Sequence, residues 1–268
     1  MSFNISFIGC GNMGRAMIGG IINSGIVKPQ EIFVADLFVP SLEKVKEKYG
    51  ANTTVDNIEV SKKADVLILA VKPNILSSVA SEIKNAIKKD TIIISIVAGK
   101  TIANLEEYFG NEHKIVRTMP NTPALVGEGM AAVCGNKNIN DNDLNKVKSI
   151  FSSFGKVEVI PEKLIDAFVS LSGSSPAYIF MLIEAMADAA VYDGMPRDKA
   201  YKIAAQAVLG SAKMVLETGK HPAQLKDMVC SPAGTTIEAV EVLEENGFRS
   251  SIMKAMKACT NKCKDMSK

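Results

Sequence analysis

A chain of 268 residues, 47% apolar and 22% charged, has room for one large or two modest domains, each with its own core. Its 31 basic and 29 acidic residues nearly cancel, to a net charge of +2, and no lysine- or arginine-rich run marks a face for nucleic acid. Apolar stretches such as 92–98 are far shorter than a membrane span and nothing at the N-terminus reads as a signal peptide, so no membrane partner is expected and the compartment is cytoplasmic.

From the N-terminus, short β-rich runs alternate with helical patterns. Strands are expected at 5–8, 32–35, 66–71, 92–97, 114–118 and 131–134, with helices at about 13–23, 41–49, 74–88, 101–109 and 141–153. The runs 67–71 and 92–94 are apolar without alternation, as strands covered on both faces are. This predicts an α/β fold with an N-terminal Rossmann-type, parallel, doubly wound sheet over residues 1–163. Beyond that point the strand signal stops. Helices are expected at 179–192, 198–217, 223–228, 236–245 and 249–263, which makes residues 164–268 an all-α domain. Eight of the thirteen methionines fall after residue 164, either in the core of this half or at a subunit interface.

Five scattered cysteines (Cys10, Cys134, Cys230, Cys259 and Cys263) form no CxxC pair, and the two histidines, His113 and His221, lie far apart. Neither a disulfide framework nor a metal site is expected.

The stretch FIGCGNMGRAMIGGII at 7–22 places Gly9, Gly11 and Gly14 directly after the first strand and at the start of a helix. That is the dinucleotide fingerprint in its required setting. The first glycine makes the turn, the second lets backbone approach a pyrophosphate, and the third packs helix on strand. Cys10 either fills the variable position or is activated by the helix dipole. Asp36 closes the second strand, where an acidic side chain bonds the adenosine ribose or merely caps the following turn.

A second helix start lies at CSPAGTTIEAVEVLEE, residues 230–245, with Thr235 and Thr236 behind a Pro-Ala-Gly turn. One helix needs one N-cap. The pair is therefore either a cap and its neighbour, or a clasp for an anion at the positive end of the helix.

Three further stretches follow strands: AVKPN at 70–74, SIVAGKTI at 95–102 and VRTMPNTPALVGEG at 116–129. Each falls at the carboxyl edge, where such sheets bind ligands. With SGSSPAY at 172–178 and LKDMVCSPAGTTIEAVEVLE at 225–244, they closely resemble the Δ1-pyrroline-5-carboxylate reductase family, essentially end to end. The resemblance implies NADP(H)- or NAD(H)-dependent reduction of a small cyclic imine to L-proline, and a helical half that serves dimerisation and substrate binding. It implies that Ile8, Gly9, Cys10, Gly11, Asn12 and Met13 hold the pyrophosphate, with Gly14 completing the fingerprint, and that Asp36 and Asn57 face the adenosine. Ala70, Val71, Lys72 and Pro73 would run along the cofactor, Ala98 and Gly99 would lie near the nicotinamide, and Met119, Pro120 and Asn121 would border the hydride-transfer site. Ser231, Gly234, Thr235 and Thr236 correspond to the substrate loop, with Thr236 the catalytic helper at the ring nitrogen. Self-association as a homodimer or a ring of dimers is implied.

The chain departs from many relatives after the second strand, where it continues Asp36-Leu37-Phe38 and not with a residue suited to a 2′-phosphate. Lys44 either reaches that phosphate or lies on a solvated helix face. Two rivals remain: a β-hydroxyacid dehydrogenase, for which only Lys199 and Lys202 on an ordinary polar helix face are candidate bases, and a non-catalytic NAD(P)-binding regulator.

Overall fold

The computed structural model describes residues 3–266. The first half runs β1 (Ile5–Ile8), α1 (Asn12–Ser24), β2 (Ile32–Ala35), α2 (Val39–Tyr49), β3 (Asn52–Thr54), α3 (Asn57–Lys63), β4 (Val66–Leu69), α4 (Leu76–Ile83), β5 (Ile92–Ser95), α5 (Ile102–Phe109), β6 (Lys114–Met119), β7 (Gly129–Gly135), α6 (Asp141–Ser152) and β8 (Gly155–Val159). The strands form one sheet in the order β3-β2-β1-β4-β5-β6-β7-β8. Neighbours are parallel from β3 to β6, so the order reverses at β1, where doubly wound sheets bind ligands.

The apolar strands feed two cores. Ile5, Phe7, Val34, Ile68 and Ile94 pack on one face with Met17, Ile21 and Phe151 of α1 and α6. Ile8, Ala35, Leu67, Leu69 and Ile93 pack on the other with Val60, Val79 and Leu105 of α3, α4 and α5. Alternate residues of one strand thus serve opposite faces, which is why the runs show no polar alternation.

An all-parallel sheet is not what forms. β7 runs antiparallel to β6, and β8 runs parallel to β7. Only a short 3₁₀ turn, Thr122–Val126, joins β6 to β7, far too little for a parallel crossover. β7 and β8 are joined by α6, which supplies one. The expected strand list also lacked β3, β8 and helix α3. β3 has three polar residues, and α3 is announced only by Asp56, whose carboxylate accepts from the N–H groups of Ile58 and Glu59.

The second half contains α7 (Ile165–Phe168), a π-helical turn at Val169–Gly173, α8 (Ser175–Tyr192), α9 (Arg197–Thr218), α10 (Pro222–Val229), α11 (Thr235–Glu245) and α12 (Phe248–Met266). The described chain forms two compact units, one of residues 3–173 with 260–266, the other of 174–259. In the helical unit α8 packs on α9, and its buried apolar side chains are the small Ala187, Ala200 and Ala204. Larger ones face outward, including Phe180 (64% exposed), Met181 (68%) and Leu216 (84%). The run of helical turns Glu162–Tyr192 is long and apolar enough to cross a membrane by length and composition only, which the expectation drawn from short apolar stretches such as 92–98 did not anticipate. Only 22% of its most apolar window is buried within this single chain.

Candidate active site

The glycine loop is built as its spacing requires. Gly9 has φ +96°, and a Cβ there would lie 2.5 Å from the carbonyl oxygen of Ala70. A Cβ on Gly14 would lie 2.7 Å from the Gly9 oxygen. Gly11 is different: a Cβ would meet nothing within 4 Å. Two of the glycines are needed by the fold, and the middle one opens onto space at the start of α1. Gly11 is also the N-cap of α1, with no side-chain cap bond, so the first-turn N–H groups are left for a ligand. The residues fit a pyrophosphate. Asn12 and Met13 form the first turn of α1.

Asp36 has an unexpected second task. Its Oδ2 accepts from the Cys10 N–H at 2.7 Å and its Oδ1 from the Phe38 N–H at 2.8 Å. The carboxylate therefore caps the turn after β2 and also braces the glycine loop. A carboxylate has about four acceptor positions, so room remains for a ribose hydroxyl. Cys10 itself is buried, and burial together with the neighbouring Asp36 pushes its thiol up to about 12. It is not activated by the helix dipole.

Ile8, Gly9, Gly11, Asp36, Asn57, Ala70, Val71 and Lys72 line one cleft of about 290 Å3. The sequence reading missed Leu37, Ile75 and Val79 in the same wall. The position of Leu37 directly after the acid at the strand end was the available signal. Asn57 is buried and donates from Nδ2 to Glu82 Oε2 at 3.0 Å. Lys44 does not line this cleft; with Arg15 and Tyr49 it faces a separate one of about 1150 Å3 beside α1 and α2.

Pro73 follows Lys72, exposed, on the loop after β4. Ala98 and Gly99 lie beyond β5, Met119 ends β6, and Pro120 follows it, both of the last two buried. These loops share the carboxyl edge because β1, β4, β5 and β6 are adjacent and parallel. The Asn121 side chain is held by other protein groups: Nδ2 donates to the carbonyl and hydroxyl of Ser172, and Oδ1 accepts from the Met130 N–H.

In the helical unit, α11 begins at Thr235, with Gly234 as N-cap and no side-chain cap bond. Neither threonine is the cap, so the cap-and-neighbour alternative fails. The turn is closed by the Gly234 N–H donating to the Ser231 carbonyl at 3.0 Å. Ala233 stands at φ +52°, a left-handed conformation in which glycine is the usual residue. Thr235 is exposed and Thr236 half-buried.

Among the described residues, no group of three or more His, Cys, Asp or Glu side chains is placed to hold a metal. Lys199 and Lys202 are exposed on α9.

Comparison with known proteins adds three findings. Residues 162–266 match the family model for pyrroline-5-carboxylate reductase dimerisation, and residues 4–99 match that for NADP oxidoreductase, coenzyme F420-dependent. The pyrroline-5-carboxylate reductase of Escherichia coli (strain K12) is 54% identical over 100% of both chains. Among solved structures, a pyrroline-5-carboxylate reductase from Coxiella burnetii has a TM-score of 0.93 at 39% identity, covering 99% of each chain. The pyrroline carboxylate reductase of Plasmodium falciparum, with NADP bound, has a TM-score of 0.90 at 37% identity, covering 99% of this chain and 98% of that one. The exposed apolar helices thus fall within the region that matches the dimerisation model, which supports self-association.

Proposed function

The chain belongs to the pyrroline-5-carboxylate reductase family, and from that premise we propose that it reduces 1-pyrroline-5-carboxylate to L-proline, the last step of proline biosynthesis, with NADPH or NADH. The observation that carries the reading is a pair of helix starts, α1 and α11, each capped by a glycine and each without a side-chain cap bond. One suits the cofactor's pyrophosphate, the other the substrate's carboxylate. An anion at a helix N-terminus gains about 0.3–1 kcal/mol from the dipole when exposed, and more when partly buried.

When bound, a nicotinamide cofactor supplies the hydride. The protein's part is to hold, orient and exclude water. Ile8 to Gly14 hold the pyrophosphate, and Asp36 with Asn57 flanks the adenosine. Ala70 to Pro73, Ala98, Gly99, Met119 and Pro120 line the path of the cofactor. Ser231, Gly234 and Thr235 hold the substrate carboxylate, and the Thr236 hydroxyl bonds the ring nitrogen as it gains a proton ultimately drawn from water. The division of the chain near residue 163, a homodimer or ring of dimers, and a cytoplasmic location without membrane or nucleic-acid partners belong to the same proposal.

Purified protein should oxidise NADPH or NADH only when the imine is added, and should oxidise proline slowly at high pH. A folded protein that binds cofactor but does neither would be a regulator and would end the proposal. Activity on a β-hydroxyacid instead of the imine would favour the dehydrogenase rival.

A further inference from the structure

The resemblance places Asn121 at the border of the hydride-transfer site, yet the structure commits both of its N–H donors, and one acceptor position of its oxygen, to holding the chain. Nδ2 donates to the Ser172 carbonyl and to the Ser172 hydroxyl, each at 3.1 Å, while Oδ1 accepts from the Met130 N–H at 2.8 Å. Asn121 and Ser172 are each only 8% exposed, so these bonds are made away from water. Asn121 precedes the 3₁₀ turn Thr122–Val126 in an N-cap position but makes no side-chain cap bond there. It reaches instead across to the π-helical turn Val169–Gly173.

The sequence explains why that turn needs a donor. In a continuing α-helix the Ser172 carbonyl would accept from the N–H of the residue four positions on. That residue is Pro176, which has no N–H to give. A buried carbonyl without a partner costs about 1–3 kcal/mol, and a π turn, where helical register changes, is a frequent feature of functional sites. Asn121 supplies the missing donor. Its other bond, to Met130 beside the start of β7, fixes the same loop from the opposite side.

We propose that Asn121 is a positioning residue: a clasp that satisfies the carbonyl orphaned by Pro176 and thereby holds Met119 and Pro120, at the end of β6, in place for hydride transfer. It acts through that loop and does not bind cofactor itself. The inference rests on the reductase reading for its kinetic readout, but its binding and folding readouts stand without it.

The test uses Asn121→Ala, Pro176→Ala and the double variant, with NADPH affinity by fluorescence, imine-reduction kinetics and thermal melting. Asn121→Ala should lower kcat at least tenfold, with the Kd and KM for NADPH within threefold of wild type. Pro176→Ala provides the Ser172 carbonyl with a helical donor, so in the double variant at least threefold of the lost kcat should return and the melting temperature should rise. Should Asn121→Ala alone fail to fold, the double variant should fold; if it does not, the clasp is wrong. A loss of NADPH affinity above tenfold with kcat retained would make Asn121 a direct ligand and overturn the proposal, as would a double variant worse than the single. If wild type proves inactive on the imine, the reductase reading fails by itself. The melting temperatures and NADPH affinities of the same variants then decide the clasp.

Discussion

Helices α1 and α11 start alike and are supported differently. Both have an N-cap glycine in extended backbone, with ψ −166° at Gly11 and +167° at Gly234, and neither receives a side-chain cap. Side chains cap four of the other helices, Asp56 on α3, Thr101 on α5, Asn140 on α6 and His221 on α10. Helices α2, α4, α7, α8 and α9 also lack such a bond but start from larger residues, so it is the bare glycine N-cap that sets α1 and α11 apart. A side-chain cap consumes the N–H groups that an anion would use, so its absence at these two starts suits a ligand. The α1 loop is wedged into the sheet, with Gly9 against Ala70 and Asp36 bracing Cys10. The α11 turn stands at the surface of a helical unit, held by one Ser231–Gly234 bond and carrying left-handed strain at Ala233. The first site is rigid because the core makes it so. The second has only its own turn and whatever self-association adds.

The largest effect should come from breaking the rigid loop. Gly9→Ala meets backbone at 2.5 Å in a positive-φ position, so it should cost more than about 3 kcal/mol and leave little folded protein in a thermal melt. Gly11→Ala should melt as wild type, since its Cβ meets nothing, yet weaken NADPH binding about tenfold or more, roughly 1.4 kcal/mol, by filling the space meant for phosphate. Equal melting losses for the two would erase the distinction between a glycine needed by the fold and one needed by the ligand.

At the exposed turn the effects are smaller and kinetic. Thr236→Ala should lower kcat roughly tenfold, the worth of one hydrogen bond of about 1–1.5 kcal/mol, while Thr236→Ser recovers most of it. Because Gly234 is the cap, the Ala variant should keep its melting temperature; a clear drop with normal kcat would return the threonine to a structural role.

Cofactor choice should respond to Asp36. Its charge opposes a 2′-phosphate, so NADH should serve within about tenfold of NADPH in kcat/KM, a difference of about 1.4 kcal/mol. Asp36→Asn, which keeps an acceptor for one of the two backbone N–H groups, should move the ratio toward NADPH. Asp36→Ala removes both bonds and should also loosen the glycine loop. A wild-type preference for NADPH above a hundredfold would sink this view. The smallest effect is at Ala233: glycine there relieves the φ +52° strain and should stabilise the protein by about 0.5 kcal/mol, readable as a small rise in melting temperature.

Much of the candidate site was legible in the sequence. The strand-turn-helix glycines, Asp36 at the end of β2 and the loops after β4, β5 and β6 all follow from local pattern, and they converge because parallel strands put their carboxyl ends on one edge. Element ends were less legible: α11 starts at Thr235, one residue before the expected start, and that moves the cap from threonine to Gly234. β3 and α3 were missed because three polar residues and a seven-residue helix carry too little periodicity to register.

By itself, then, the amino-acid order determines what is periodic or locally strained: which runs are strands, where glycine is needed, where Pro176 withholds an N–H. Those properties belong to a residue and its near neighbours. What only the tertiary structure decides is partnership between distant segments. It shows that Gly11 faces open space while Gly14 faces Gly9, that Asp36 braces Cys10, that β7 turns back antiparallel, and that Asn121 reaches Ser172. The donor for the Ser172 carbonyl lies 51 positions back in the chain, and no local rule links the two until the folded sheet brings them within hydrogen-bonding distance.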